Sequence, residues 1–160
     1  MKVGFYAGSF DPFTNGHLAV LKKALKLFDK VIIGIGTNRK KPQRRFEKEL
    51  VKQSIEQLLI REGIENVEIV CYDNATTDVA LDNKTTFLVR GLRDGMDYQQ
   101  EEHDAAANEK ISGLDTIYIR AGDLGVISSS FVMELVYYGK DVSEYVPKEI
   151  LELINNKSKE

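Results

Sequence analysis

The chain has 160 residues, 42% hydrophobic and 29% charged, with a single cysteine. This length suits one domain, residues 1–160, able to bury a core without disulfides. A formal net charge of −3 gives no basic field for nucleic acid; no apolar run approaches a membrane span or has the flanks of a leader peptide, so a soluble, cytoplasmic protein without nucleic-acid or membrane partners is expected.

The first apolar run, Val3 to Tyr6, has the length of a buried strand, and residues 17 to 28 carry helical spacing through Leu18, Leu21, Leu25 and Phe28. Between them lies YAGSFDPFTNGH, Tyr6 to His17, in which Gly8, Ser9 and Phe10 form a turn, with Gly16 and His17 opening the helix. A loop between a strand and a helix is where open α/β sheets bind ligands, and a helix N-terminus attracts phosphate. Val31 to Ile35 is a second strand, followed by Lys40 and Lys41 ahead of Pro42 and a helix over 46 to 62. Val67 to Tyr72 is a third strand, in which Cys71 fits a buried thiol. A short helix spans 76 to 83, a fourth strand Thr86 to Val89, a helix 97 to 110, and a fifth strand Thr116 to Ile119. The alternation predicts an α/β fold with a doubly wound, five-stranded parallel sheet. ISSS, Ile127 to Ser130, precedes an apolar helix that stops at Gly139. A final helix starts near Pro147 as a C-terminal extension, with a polar, frayed tail from Asn155 to Glu160.

Several groups in this pattern bear chemistry. His17, at a helix start, is placed either to donate to a phosphoryl oxygen as charge builds in a transition state or to bond only its own surroundings. Ser9 carries the same two readings. RGLR, Arg90 to Arg93, follows the fourth strand, and guanidinium forks three residues apart suit a polyphosphate, although a solvated surface pair has the same sequence. Ser128, Ser129 and Ser130 are either caps or phosphate donors. Lys40 supplies a mobile cation or a solubilising loop. Glu101, Glu102, His103 and Asp104 are not a metal cluster, because neighbouring helical positions point apart; Asp97 and Glu101 share one face.

All these groups fall at one end of the predicted sheet. YAGSFDPFTNGH, KKP, RGLR and ISSS together resemble the nucleotidyltransferase superfamily with the T/HxGH signature, and within it the bacterial phosphopantetheine adenylyltransferases, over nearly the whole chain. The resemblance implies a Rossmann-like nucleotidyltransferase fold, adenylyl transfer from ATP to 4′-phosphopantetheine with Mg²⁺ held chiefly by the phosphates and no metal site in the protein, and a homohexamer. By motif position it implies His17 as the catalytic residue and Ser9, Lys40, Thr76 and Arg90 on the acceptor. It places Ser9, Phe10, His17, Gly91, Leu92, Arg93, Glu101 and Leu124, Gly125, Val126, Ile127, Ser128, Ser129, Ser130 on ATP. The chain departs from the family pattern at Ala7 and Ser9, at Leu124 where an aromatic residue is usual, at Ala75 and Thr76 in place of a Leu-Met pair, and at Glu109 in place of an arginine. Two alternatives stay open: a nucleotidyltransferase using another phosphorylated acceptor or nucleotide, and a nucleotide-binding regulator without catalysis.

Overall fold

The computed structural model describes residues 1–159. Its strands are β1 (Val3–Gly8), β2 (Lys30–Ile35), β3 (Val67–Cys71), β4 (Phe87–Leu92) and β5 (Thr116–Arg120). They form one sheet in the order β3-β2-β1-β4-β5, and every pairing is parallel. The helices are α1 (Asn15–Ala24), α2 (Lys48–Glu62), α3 (Thr76–Asp82), α4 (Gly95–Ser112), α5 (Ser129–Tyr137) and α6 (Lys148–Ser158), with a 3-10 turn at Gly122–Val126.

The period of two along the strands divides the core between the two faces of the sheet. Tyr6, Val31, Ile33 and Ile35 point into a larger cluster with Leu21 of α1, Ile55 and Leu58 of α2, and Ile150 and Ile154 of α6. Val3, Phe5, Ala7 and Ile32 point to the opposite side, against Val79 and Ala80 of α3 and Leu114. The central strand is buried on both faces, so β1 is apolar almost throughout. At Gly34 a Cβ would stand 2.4 Å from the Phe5 ring; the missing side chain is what lets that ring lie on β2.

The parallel order reverses direction at β1, where one crossover leads outward to β2 and the other to β4. Crossovers in opposite directions leave a crevice at the carboxyl ends of β1 and β4, the topological switch point at which such sheets bind ligands. The loop after Gly8 and the side chains of Arg90 and Arg93 stand there.

Element boundaries and one burial differ from the sequence reading: α1, for example, ends at Ala24 and not at residue 28. β4 runs through Arg90, Gly91 and Leu92, so RGL is strand and not the loop beyond it; Arg90, Gly91 and Leu92 pair with Tyr118, Ile119 and Arg120 of β5, which holds this polar stretch extended. The C-terminal segment does not fray at Asn155, because α6 continues to Ser158. There Lys157 stacks its ammonium 4.8 Å over the Phe46 ring and donates to the Arg45 carbonyl, while Ser158 Oγ donates to Ile154 O at 3.2 Å. At the other end of α6, Arg61 of α2 forms a forked pair with the buried Glu149, 2.6 and 3.0 Å. Cys71 is half-buried at a strand end, not enclosed.

Candidate active site

The loop after β1 is built around Phe10. Its backbone sits in the left-handed region, φ 47°, a conformation a phenylalanine holds only when its surroundings compensate. The buried ring supplies that compensation, packing edge-on against Tyr6 at 5.1 Å and against Phe13 and His17 at 5.7 and 4.9 Å between centroids. Below it, the buried Asp11 carboxylate accepts from the backbone N–H groups of Arg45 and Phe46, at 2.8 and 2.9 Å. The loop is therefore clamped to residues 44–46.

Thr14 caps α1, and the cap is reciprocal. Its side chain accepts from the His17 N–H, and His17 Nδ1 accepts from the Thr14 backbone N–H at 2.9 Å. Nδ1 thus carries the lone pair and the ring proton lies on Nε2. Burial, followed by the positive charges of Arg90 and Arg93, pushes the imidazole pKa down to about 3. At neutral pH His17 is an uncharged donor beside two arginines.

Arg90 and Arg93 are both held by α4. Arg90 forms a fork with Glu101 at 2.7 and 2.8 Å and also donates to the Ala7 carbonyl. Arg93 forms a fork with Asp97 at 2.8 and 3.1 Å. Asp97 and Glu101 share a face, as the helical spacing requires, and that face turns toward the sheet end. The wider acidic run serves structural ends, with Glu102 accepting from Tyr118 at 2.6 Å and Asp104 from Gln100 at 3.2 Å. Among the described residues no three His, Cys, Asp or Glu side chains are grouped to hold a metal.

The three serines have three roles. Ser128 caps α5, accepting from the Phe131 N–H at 3.0 Å; Ser129 Oγ donates to the Pro12 carbonyl at 2.6 Å; and Ser130 Oγ accepts from Arg45 at 3.2 Å. The start of α5 is stapled to the loop after β1 and to residue 45. Gly16 permits the same closeness from α1, since a Cβ there would lie 3.1 Å from Leu124 O and 3.4 Å from Ile127 O.

These elements enclose a cleft of about 230 Å³. Of the residues singled out from sequence, Ser9, Phe10, His17, Arg90, Gly91, Arg93, Glu101, Ile127, Ser128 and Ser129 line it. Thr76 lines a second cavity of about 280 Å³ that shares Ala7, Arg90 and Glu101 with the first. Lys40 is exposed, its N–H bonded to Asn38 Oδ1 at 2.9 Å, and Leu92, Leu124, Gly125, Val126 and Ser130 do not line the cleft. Tyr6, Val20, Asp97 and Ala121 also line the cleft, and sequence reasoning did not place them there. Tyr6 and Val20 carry only a core signal in sequence; burial raises the Tyr6 hydroxyl pKa well above the usual tyrosine range, so it stays protonated.

A parallel sheet with this strand order, a histidine at the head of α1 and arginines opposite it define the cytidylyltransferase-like class of nucleotidyltransferases, whose family pattern matches residues 5–135. A bifunctional NMN adenylyltransferase/ADP ribose pyrophosphatase from Francisella tularensis shares the fold, with a TM-score of 0.68 at 22% identity over 91% of this chain and 44% of that one. A phosphopantetheine adenylyltransferase from Streptococcus pneumoniae is 43% identical, covering 99% of this chain and 98% of the relative. One from Campylobacter jejuni is 41% identical over 96% of each. The chain belongs to the phosphopantetheine adenylyltransferase family.

Proposed function

We propose that the chain, acting as a single nucleotidyltransferase domain with a C-terminal helical extension, transfers the adenylyl group of ATP to 4′-phosphopantetheine, giving dephospho-coenzyme A and pyrophosphate. The observation that carries this reading is the single cleft uniting a neutral Nε2–H of His17 with the forked guanidinium groups of Arg90 and Arg93.

An oxygen of the acceptor phosphate attacks the α-phosphorus of ATP, a new P–O bond forms, and the bond to the β-phosphate breaks with its electrons leaving on pyrophosphate. Negative charge rises on the α-phosphoryl oxygens, where a preorganised N–H donor is worth most. His17 supplies that donor: its depressed pKa keeps the ring neutral, and the N–H of a neutral imidazole is too weak an acid to give up its proton outright. Arg90 holds the acceptor phosphate. Its fork is already filled by Glu101, so the guanidinium is fixed in orientation before substrate arrives and pays little ordering entropy on binding. Arg93, Ser128 and Ser129 hold the nucleotide phosphates, and the cavity containing Thr76 takes the remainder of the acceptor, with Lys40 reaching the acceptor phosphate from its exposed loop.

Magnesium would be held by the triphosphate oxygens and not by protein side chains, and would neutralise phosphate charge there. The donor set fits this, because the cleft carboxylates Asp97 and Glu101 are both engaged by arginines. A cytoplasmic setting accords with the free Cys71, and no helix among the described residues is long and apolar enough to cross a membrane. Assembly as a homohexamer is supported by exposed apolar side chains such as Tyr137 and Val126.

The test is pyrophosphate release from MgATP with and without 4′-phosphopantetheine, using the His17→Ala protein as the blank. Acceptor-dependent release is the expected result. Release only with a different phosphorylated acceptor would reassign the substrate, and ATP binding without turnover on any acceptor would make the protein a regulator.

A further inference from the structure

Arg45 is not among the residues that the family motifs assign to substrate. It belongs to a strap, residues 44–46, that ties together three separate parts of the chain. Its backbone N–H donates to Asp11 Oδ2 at 2.8 Å, its Nη1 to the Asp11 carbonyl at 2.7 Å, and its Nη2 to Ser130 Oγ at 3.2 Å. Its carbonyl accepts from Lys157 of α6. The guanidinium is thus fixed between the loop after β1 and the first turn of α5.

Charge separates Arg45 from its neighbours. Arg90 and Arg93 are each paired with a carboxylate of α4, and Arg44 faces Asp11 at 3.8 Å while bonding Phe46 O and Gly36 O at 2.8 and 2.9 Å. Among the described residues Arg45 has no carboxylate within ion-pair distance of its guanidinium, and its remaining N–H groups have no protein acceptor. A partly buried, immobilised and uncompensated cation beside a helix N-terminus favours an anion there. Ser128 and Ser129, on the same turn as Ser130, line the cleft with His17.

Resting on adenylyl transfer from ATP as the reaction, we propose that Arg45 binds the β- and γ-phosphates of ATP and retains the pyrophosphate that leaves. The guanidinium N–H groups left open by Asp11 and Ser130 contact the outer phosphates from the α5 side, opposite Arg90 and Arg93, and the Ser130 hydroxyl orients the guanidinium. Arg45 therefore distinguishes a triphosphate from a monophosphate while making no contact with base or ribose.

Calorimetric titration of the full-length protein with MgATP, AMP and magnesium pyrophosphate, without any acceptor, tests this. For Arg45→Ala, MgATP and pyrophosphate affinity should each fall about tenfold or more, the range of a lost charge-assisted contact, with AMP affinity within about twofold of wild type. Arg45→Lys should recover only part of the loss, since an ammonium lacks the fork. Equal affinities for all three probes in wild type and Arg45→Ala would overturn the proposal. A proportional loss of all three, with a lowered melting temperature, would also overturn it by making Arg45 only a strap. Because no acceptor is present, an error in the choice of acceptor shows in the pyrophosphate-release assay and leaves this measurement intact.

Discussion

Thr14 and His17 cap one another across the first turn of α1, the His17 Nδ1 accepting the Thr14 backbone N–H at 2.9 Å. The imidazole therefore has a structural role at Nδ1 and keeps its Nε2–H available as a donor. The two readings of His17 available from sequence are compatible, because each concerns a different atom. A helix cap fixes the ring's rotamer and tautomer, and a fixed tautomer is what makes Nε2 a donor without a reorganisation cost at the moment of reaction.

Substitutions that separate the two nitrogens should separate the two roles. Asparagine at position 17 places its amide oxygen near the Nδ1 position and retains the cap, while nothing replaces Nε2–H. His17→Asn should lower kcat on the order of a hundredfold or more, the scale of losing one oxyanion-type donor, with ATP affinity little changed. Steady-state kinetics alongside ATP titration checks this; a variant with wild-type kcat would remove His17 from the chemistry.

The depressed pKa gives a second test. His17 titrates at about 3 in the folded protein against an ordinary value of 6.5. Above pH 6.5 neither folded nor unfolded state is protonated there, and the contribution to stability is complete. As pH falls from 6.5 toward 3 the unfolded state takes up a proton that the folded state refuses, so stability is lost with acid. Urea unfolding at pH 7.5 and pH 5 should show wild type losing more than His17→Asn, by on the order of 1–2 kcal/mol. The kcat profile should show no limb near pH 6.5 from this histidine. Equal losses in both proteins would mean that the ring is protonated in the fold.

The sheet was legible because buried parallel strands are short, apolar and β-branched, as Val31 to Ile35 is, and because Gly8, His17 and Ser128 lie at a strand end or at helix starts whose local signals are strong. What escaped is long-range. Arg90 to Leu92 carry no apolar run, and only pairing with β5 makes them strand. The helical stretch Asn155 to Ser158 is anchored by Lys157 meeting Phe46 and the Arg45 carbonyl, more than a hundred positions away in sequence. Arg45 looks like one more charge in a polar loop until the fold brings it to Asp11 and Ser130. The cleft positions of Tyr6 and Val20 were hidden differently, since an apolar or aromatic residue in a strand or helix reads as core whichever side of the cavity it borders.

Asp11 should prove to be a stability residue whose loss also damages the site. It is buried and accepts two backbone N–H groups from the strap. Asp11→Ala leaves both donors without their acceptor, at about 1–3 kcal/mol for each buried group left unmade, and leaves Arg44 facing no carboxylate. Chemical denaturation should show a loss of about 2–5 kcal/mol. Asp11→Asn, which keeps one acceptor oxygen, should lie between. A loss under about 0.5 kcal/mol for the alanine variant would mean that the strap is held by its arginines alone.

Gly16 offers the opposite dissociation, a change in activity without one in stability. It lies in a regular helix, where alanine is favoured over glycine by up to about 1 kcal/mol. The new methyl would sit 3.1 Å from Leu124 O and 3.4 Å from Ile127 O, both backbone, so the head of α1 and the loop before α5 must separate by a few tenths of an ångström. The two effects on folding oppose and nearly cancel. In the cleft they do not, because His17 on one side and Ser128 on the other are moved apart, and phosphoryl-type transfer depends on placement. Gly16→Ala should therefore lower kcat/KM for ATP by about tenfold while shifting the melting temperature by less than about 3 °C. A variant with unaltered kinetics would show that the separation of α1 from the 124–127 segment is not critical to catalysis.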